Sequence, residues 1–175
     1  MANIESIQAR VKLGRFRVAL LCVLSYWWYA FYWFYLTWKQ LKEATGNPHR
    51  PVWHAIGILV PIYGWFVVHR HLRTIKELQD KAELSPSLNV GRLLTLFIIA
   101  NVLAYQSQLW GGIVEFVFDV IAVVLLAIFL VGAQSNLNSY WEHIKGRQLA
   151  EARIGVGEVI FVLIGLAFWV MYYVL

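Results

Sequence analysis

"SYWWYAFYWFYLTW", residues 25–38, decides how this chain is read, because ten of its fourteen side chains are Tyr, Trp or Phe. Leu, Ile and Val fill a bilayer core well. Tyr and Trp carry an O–H or N–H that favours the headgroup level, so rings normally flank a span. A segment built almost wholly of flank is expected to bend back, or to ride at shallow depth, with its rings marking depth. The competing uses of such a surface are a flat cofactor (a haem, quinone or pigment) or a face for another helix. No convincing ligand pair accompanies the rings, so no cofactor is expected.

The rest of the composition fits a membrane setting. Of the 175 residues, 60% are hydrophobic and 14% charged, and the mean hydropathy is +0.60. A water-soluble core is excluded by such values. Five apolar segments stand out, at 18–38, 52–68, 93–110, 113–133 and 154–175. A span needs roughly 20 residues, so the last three are firm and the second, interrupted by Pro61 and Gly64, is marginal. No alternating strand pattern appears, and backbone groups in lipid must be satisfied within each segment. The expected fold is therefore all-α, a polytopic helical membrane protein. It forms a single domain over 1–175, with three C-terminal spans and two aromatic N-terminal segments that span, re-enter or lie at the interface. The first apolar run passes into bulky aromatics without a small-residue cleavage site and reads as an uncleaved anchor. Cys22 is alone, which excludes an intramolecular disulfide and a cysteine metal cluster.

Basic residues give the topology. Arg10, Lys12, Arg15 and Arg17 precede the first segment, Lys39, Lys42 and Arg50 follow it, and Arg70, Arg73, Lys76, Lys81 and Arg92 lie between the second and third. Lys145, Arg147 and Arg153 lie between the fourth and fifth, and the Gly111-Gly112 link carries none. If the first two segments each enter and leave on the cytoplasmic side, all fifteen are inside. That predicts an inner-membrane protein with a cytoplasmic N-terminus and an external C-terminus. A weak repeat agrees: "YAFYWFYLTWKQLKE" (29–43) aligns with "YGWFVVHRHLRTIKE" (63–77) at an offset of 34, the difference of their first positions. Both follow a plausible break, at Ser25 or Ala30 and at Pro61 and Gly64, and both run into a basic tail. "LNSYWE" (137–142) is a fainter third echo. Equivalent tails are expected to leave the membrane on one side.

The aromatic exit followed by "KQLKEATG", the "LVPIYGWFVVHRHLRTIKELQ" stretch and the later "QSNLNSYW" resemble a bacterial group of small polytopic membrane proteins catalogued as domain of unknown function 4234. The resemblance covers residues 18–142. It implies a bacterial cell-membrane protein and supplies no catalytic residues. Where the family pattern places a glycine ahead of the first aromatic exit, this chain has Ser25 and Ala30.

Candidate chemistry is sparse. His69 and His71 point about 200° apart on a helix and cannot share a metal; His54, near the start of an apolar run, is the one conceivable ligand for a haem or pigment. No zinc spacing, phosphate loop or nucleophile motif is present, so no enzyme activity and no metal are expected. Glu115 and Asp119 in "GGIVEFVFDVIAVV" are i, i+4 neighbours on one face, with Gln108 and Tyr105 expected opposite them across the glycine turn. Intramembrane carboxylates suggest a cation or proton site, or else structural hydrogen bonding. Glu158 falls at the start of the fifth segment, where a helix N-terminus favours an acid.

Arg10, Lys12, Arg15 and Arg17, on an amphipathic stretch over 1–17 that carries Ile4, Ile7 and Val11 on one face, suit anionic lipid headgroups, as do Arg70, Arg73 and Lys76. Nucleic acid is not called for, since the positive-inside bias alone generates a pI near 9.4. The expected partners are an anionic bilayer and another membrane protein or a second copy of the chain. The function these features suggest is a non-enzymatic accessory or scaffold. The alternative is a small ion or proton transport subunit that acts as an oligomer.

Overall fold

The computed structural model describes residues 11–46, 50–60, 62–146 and 148–173. The last three helices carry the fold. They are α5 (Val90–Ser107), α6 (Gly112–Lys145) and α7 (Val156–Tyr173), each long and apolar enough to cross a membrane, and they make the chain an integral membrane protein. At about 1.5 Å per residue, α5 and α7 each extend about 27 Å, close to the ~30 Å of a hydrocarbon core, while α6 runs about 51 Å. Its last twelve residues continue well past the apolar run that ends at Ala133. Helices α5 and α6 pack antiparallel across a turn at Gly111 and Gly112, the latter at φ +64°, a conformation open to glycine at no steric cost.

The N-terminal half contains four further helices, α1 (Arg15–Leu24), α2 (Trp28–Thr45), α3 (Pro51–Gly57) and α4 (Tyr63–Lys81). They form two helical hairpins. At residues 25–27 the chain reverses without glycine: Tyr26 and Trp27 take φ values of 45° and 73°. Such left-handed positions in large residues each cost on the order of 1 kcal/mol or more and need surrounding support. Ser25 supplies part of it, since its Oγ accepts a hydrogen bond from the Tyr29 amide at 2.9 Å and donates to the Cys22 carbonyl at 3.3 Å. One hydroxyl thus satisfies a group at the end of α1 and another at the start of α2. In the second hairpin, Ile62 takes φ 65°. Gly64 sits inside α4, where a Cβ would lie 2.8 Å from the Ile58 carbonyl oxygen. Its role is close approach, whereas the sequence reading made it part of the break. Pro61 lies outside the described residues.

Cross-contacts give the directions. The Leu13 carbonyl, just ahead of α1, accepts from Asn138 near the end of α6, whereas the Tyr26 hydroxyl at the hairpin tip reaches Asp119 near its start. Helix α2 returns: Trp33 meets Gln134, and Thr37 meets His71 on α4. Gln79 near the end of α4 bonds Asn136. The C-terminal ends of α2, α4 and α6 therefore lie together, as the repeat implied. All described Lys and Arg side chains belong to that charged end. The opposite, glycine end, made by the first hairpin's tip, Gly111 and the last turn of α7, carries none among the described residues.

One expectation for the N-terminus changes, and another lies outside the described residues. Residues 1–10, including Arg10, Ile4 and Ile7, lie outside the described residues. Val11 and Lys12 form β1 (Val11–Lys12), a two-residue parallel pairing with β2 (Ala150–Glu151), so the helix begins only at Arg15.

Candidate functional site

The aromatic stretch has two faces. Tyr29, Trp33, Phe34 and Trp38 are fully buried, at the i, i+4 and i+5 spacings of one helical stripe. Phe34 stacks on Phe129 with ring centroids 6.1 Å apart, and Phe97 lies 5.2 Å from Phe129. Trp33 and Trp38 meet the His71 ring edge-on at 5.5 and 5.0 Å. These rings are the protein core, which corrects their reading as depth markers. Helical spacing turns half of them inward onto α4, α5 and α6, where flat surfaces pack and Trp33 Nε1 finds Gln134 Oε1 at 2.7 Å. The other face, with Trp28, Phe31, Tyr32 and Tyr35, is only part-buried and looks toward α3 and α7.

A polar cluster closes the glycine end. Asp119 is 2% exposed; its Oδ2 accepts from Tyr26 Oη at 2.6 Å and also from Tyr173 Oη. Glu115 accepts from Tyr172 Oη. These tyrosines replace the expected partners, for Tyr105 and Gln108 are exposed and face a cleft shared with Tyr26. The cause is α7: it inserts its last turn beside the start of α6 and brings phenols to both acids. Asp119 thereby ties the tip of the first hairpin to the end of α7.

At the charged end, Glu158 is the residue whose importance the sequence understated. It is 2% exposed and forms an ion pair with Arg17, whose guanidinium also donates to the Ala152 and Arg153 carbonyls. Arg17 is therefore turned inward and is not available to headgroups. Lys12 pairs with Glu142 at 2.7 Å. Arg15 and Arg70 are exposed. Arg73 and Lys76 make outward i, i+4 pairs with Glu77 and Asp80, and Lys76 beside Asp80 holds that carboxyl below its usual range.

Between these ends lies a second polar layer. Gln134 Nε2 donates to Asn138 Oδ1 at 2.8 Å, and Asn138 Nδ2 to the Leu13 carbonyl at 2.8 Å. His71 is fully buried beside Thr37, while His54 bonds the Arg50 carbonyl at 2.8 Å and lies against Trp38. No group of three His, Cys, Asp or Glu able to hold a metal occurs among the described residues. Compared with protein-family models, curated proteins and solved structures, the chain has no match.

Proposed function

We propose that this integral membrane protein is a non-enzymatic accessory or scaffold of a bacterial inner membrane, related to the family catalogued as domain of unknown function 4234, that organises anionic lipid or a partner membrane protein. The observation that carries the reading is the one-ended distribution of charge. Both helical hairpins begin and end where α6 ends, so the described Lys and Arg residues gather at a single end. The positive-inside bias then makes that end cytoplasmic, the hairpins re-entrant, and the C-terminus external. Arg15, Arg70, Arg73 and Lys76 are the outward cations suited to headgroups, each contributing on the order of 1 kcal/mol near an anionic surface.

Buried Asp119 favours a second reading, a proton or cation transport subunit. The packed rings of Trp33, Phe34, Phe97 and Phe129 stand between Asp119 and the inner polar layer, which supports a structural role for the acid. The test is single-cysteine labelling in a Cys22→Ala background, using an impermeant thiol reagent applied to intact cells. Gly112→Cys should label and Gly46→Cys should not. Equal labelling of both would show the first hairpin to be a full crossing and remove the basis of the reading.

A further inference from the structure

Beside the part-buried face of α2 runs a furrow with α3 on one side and α7 on the other. At the charged end it opens as a cleft of about 680 Å³ lined by Tyr35, Lys39, Lys42, Glu43 and Val52. Tyr35 and Val52 also line the next cleft, of about 300 Å³, whose other walls include Phe31, Ile56 and Phe161. Trp28, Phe31 and Leu59 in turn line both that cleft and a third one, of about 330 Å³, which reaches Asn101 and Gln108. The three are consecutive along one helix. From Lys42 to Trp28 the furrow follows α2 for about 21 Å at 1.5 Å per residue, longer than the ~15 Å depth of one leaflet's hydrocarbon, half of the ~30 Å core.

The geometry points to a binding site for one anionic phospholipid of the cytoplasmic leaflet, its phosphate between Lys39 and Lys42 and an acyl chain laid along Tyr35, Phe31 and Trp28. Two lysines against the single carboxylate of Glu43 leave the mouth cationic, and the ring-lined floor beyond it is apolar, so charge and hydrophobicity change along the furrow in the order they change along a phospholipid. The rings that do not enter the core thereby acquire a use. The inference rests on the lipid-organising reading and deepens it.

The test is native mass spectrometry of the full chain, released from micelles containing phosphatidylglycerol or phosphatidylcholine with identical acyl chains. The parent should retain one phosphatidylglycerol in preference to phosphatidylcholine by roughly tenfold or more, as two lysines at an anionic headgroup imply. Lys39→Gln with Lys42→Gln should abolish the preference, and Ile56→Trp, at an exposed position on the furrow wall, should lower retention of both lipids. Lys81→Gln with Arg92→Gln, exposed cations outside the furrow, should change neither. If that outer pair matters as much as Lys39 and Lys42, binding is a diffuse surface effect and the site is overturned while the scaffold reading stands. Retention of neither lipid by the parent would overturn the site together with the lipid-organising half of the scaffold reading, leaving only the partner protein. Displacement of the bound lipid by millimolar glycerol phosphate would show that the mouth recognises a free phosphate ester, and would overturn the acyl part of the assignment.

Discussion

His71 Nε2 lies 3.0 Å from Thr37 Oγ1, and the two residues are 34 positions apart, the offset of the internal repeat itself. Equivalent positions of the two repeat units thus face one another inside the bundle. The Thr37 hydroxyl also lies 2.9 Å from the Trp33 carbonyl. With its single hydrogen directed there, the hydroxyl is an acceptor for His71 in the tautomer whose proton sits on Nε2.

Thr37→Val keeps the shape and removes the acceptor, so it should destabilise the protein by about 1–3 kcal/mol, the cost of a buried polar group losing its partner. Thr37→Ser should retain most of the stability. Thermal melting in detergent reads both; equal melting of Val and Ser variants would show that the hydroxyl contributes nothing.

The Arg17 to Glu158 ion pair fixes the start of α7 against α1. Arg17→Met leaves a carboxylate buried without its partner and should cost about 3–5 kcal/mol, whereas Arg17→Met with Glu158→Leu should recover most of the loss. Faster tryptic cleavage at Arg153, next to Arg17 in the fold, should accompany the single variant only. A double variant as unstable as the single one would contradict the pairing.

The spans, the breaks near Ser25 and before Tyr63, and the shared direction of the three tails were all legible, because hydropathy, turn chemistry and charge bias are local signals. Ring orientation in residues 25–38 was not. With Tyr, Trp or Phe at ten of fourteen positions, no apolar stripe contrasts with a polar one, and only the packing of α2 between α3, α4 and α7 separates core rings from furrow rings. The partners of Asp119 escaped for a related reason: Tyr26 and Tyr173 are 93 residues before it and 54 after it, and nothing local marks either. Gly165 is a third case, a lone glycine whose meaning is a tertiary contact.

That contact carries its own prediction. Gly165 is buried in the middle of α7, where a Cβ would collide with the Ser25 backbone. Gly165→Leu should therefore push α7 away from the first hairpin and lower stability by about 1–3 kcal/mol or more, as overpacking does, while Gly111→Ala, which meets open space, should be nearly neutral. Comparable melting of the two variants would mean that α7 does not seat against Ser25.

The last prediction concerns the acid that ties the first hairpin to the end of α7. Asp119→Asn retains an acceptor for the hydroxyls of Tyr26 and Tyr173 but loses its charge, and hydrogen bonds to charged groups contribute about 1.5–3 kcal/mol against about 0.5–1.5 for neutral ones. A loss of about 1 kcal/mol is expected. Tyr26→Phe should produce a similar loss in the parent and a smaller one in the Asp119→Asn background, since the two act on one bond and neighbours of this kind are not additive. Purely additive losses would show that the two side chains do not interact. Proton and cation flux in proteoliposomes, measured on the parent and on Asp119→Asn and Glu115→Gln, separates anchor from conduit. A scaffold gives no flux in any of them, and its partner recovery is unchanged in the variants. Flux in the parent that disappears with Asp119→Asn, in protein that still melts cooperatively, would instead make this carboxylate a transport site and displace the scaffold reading.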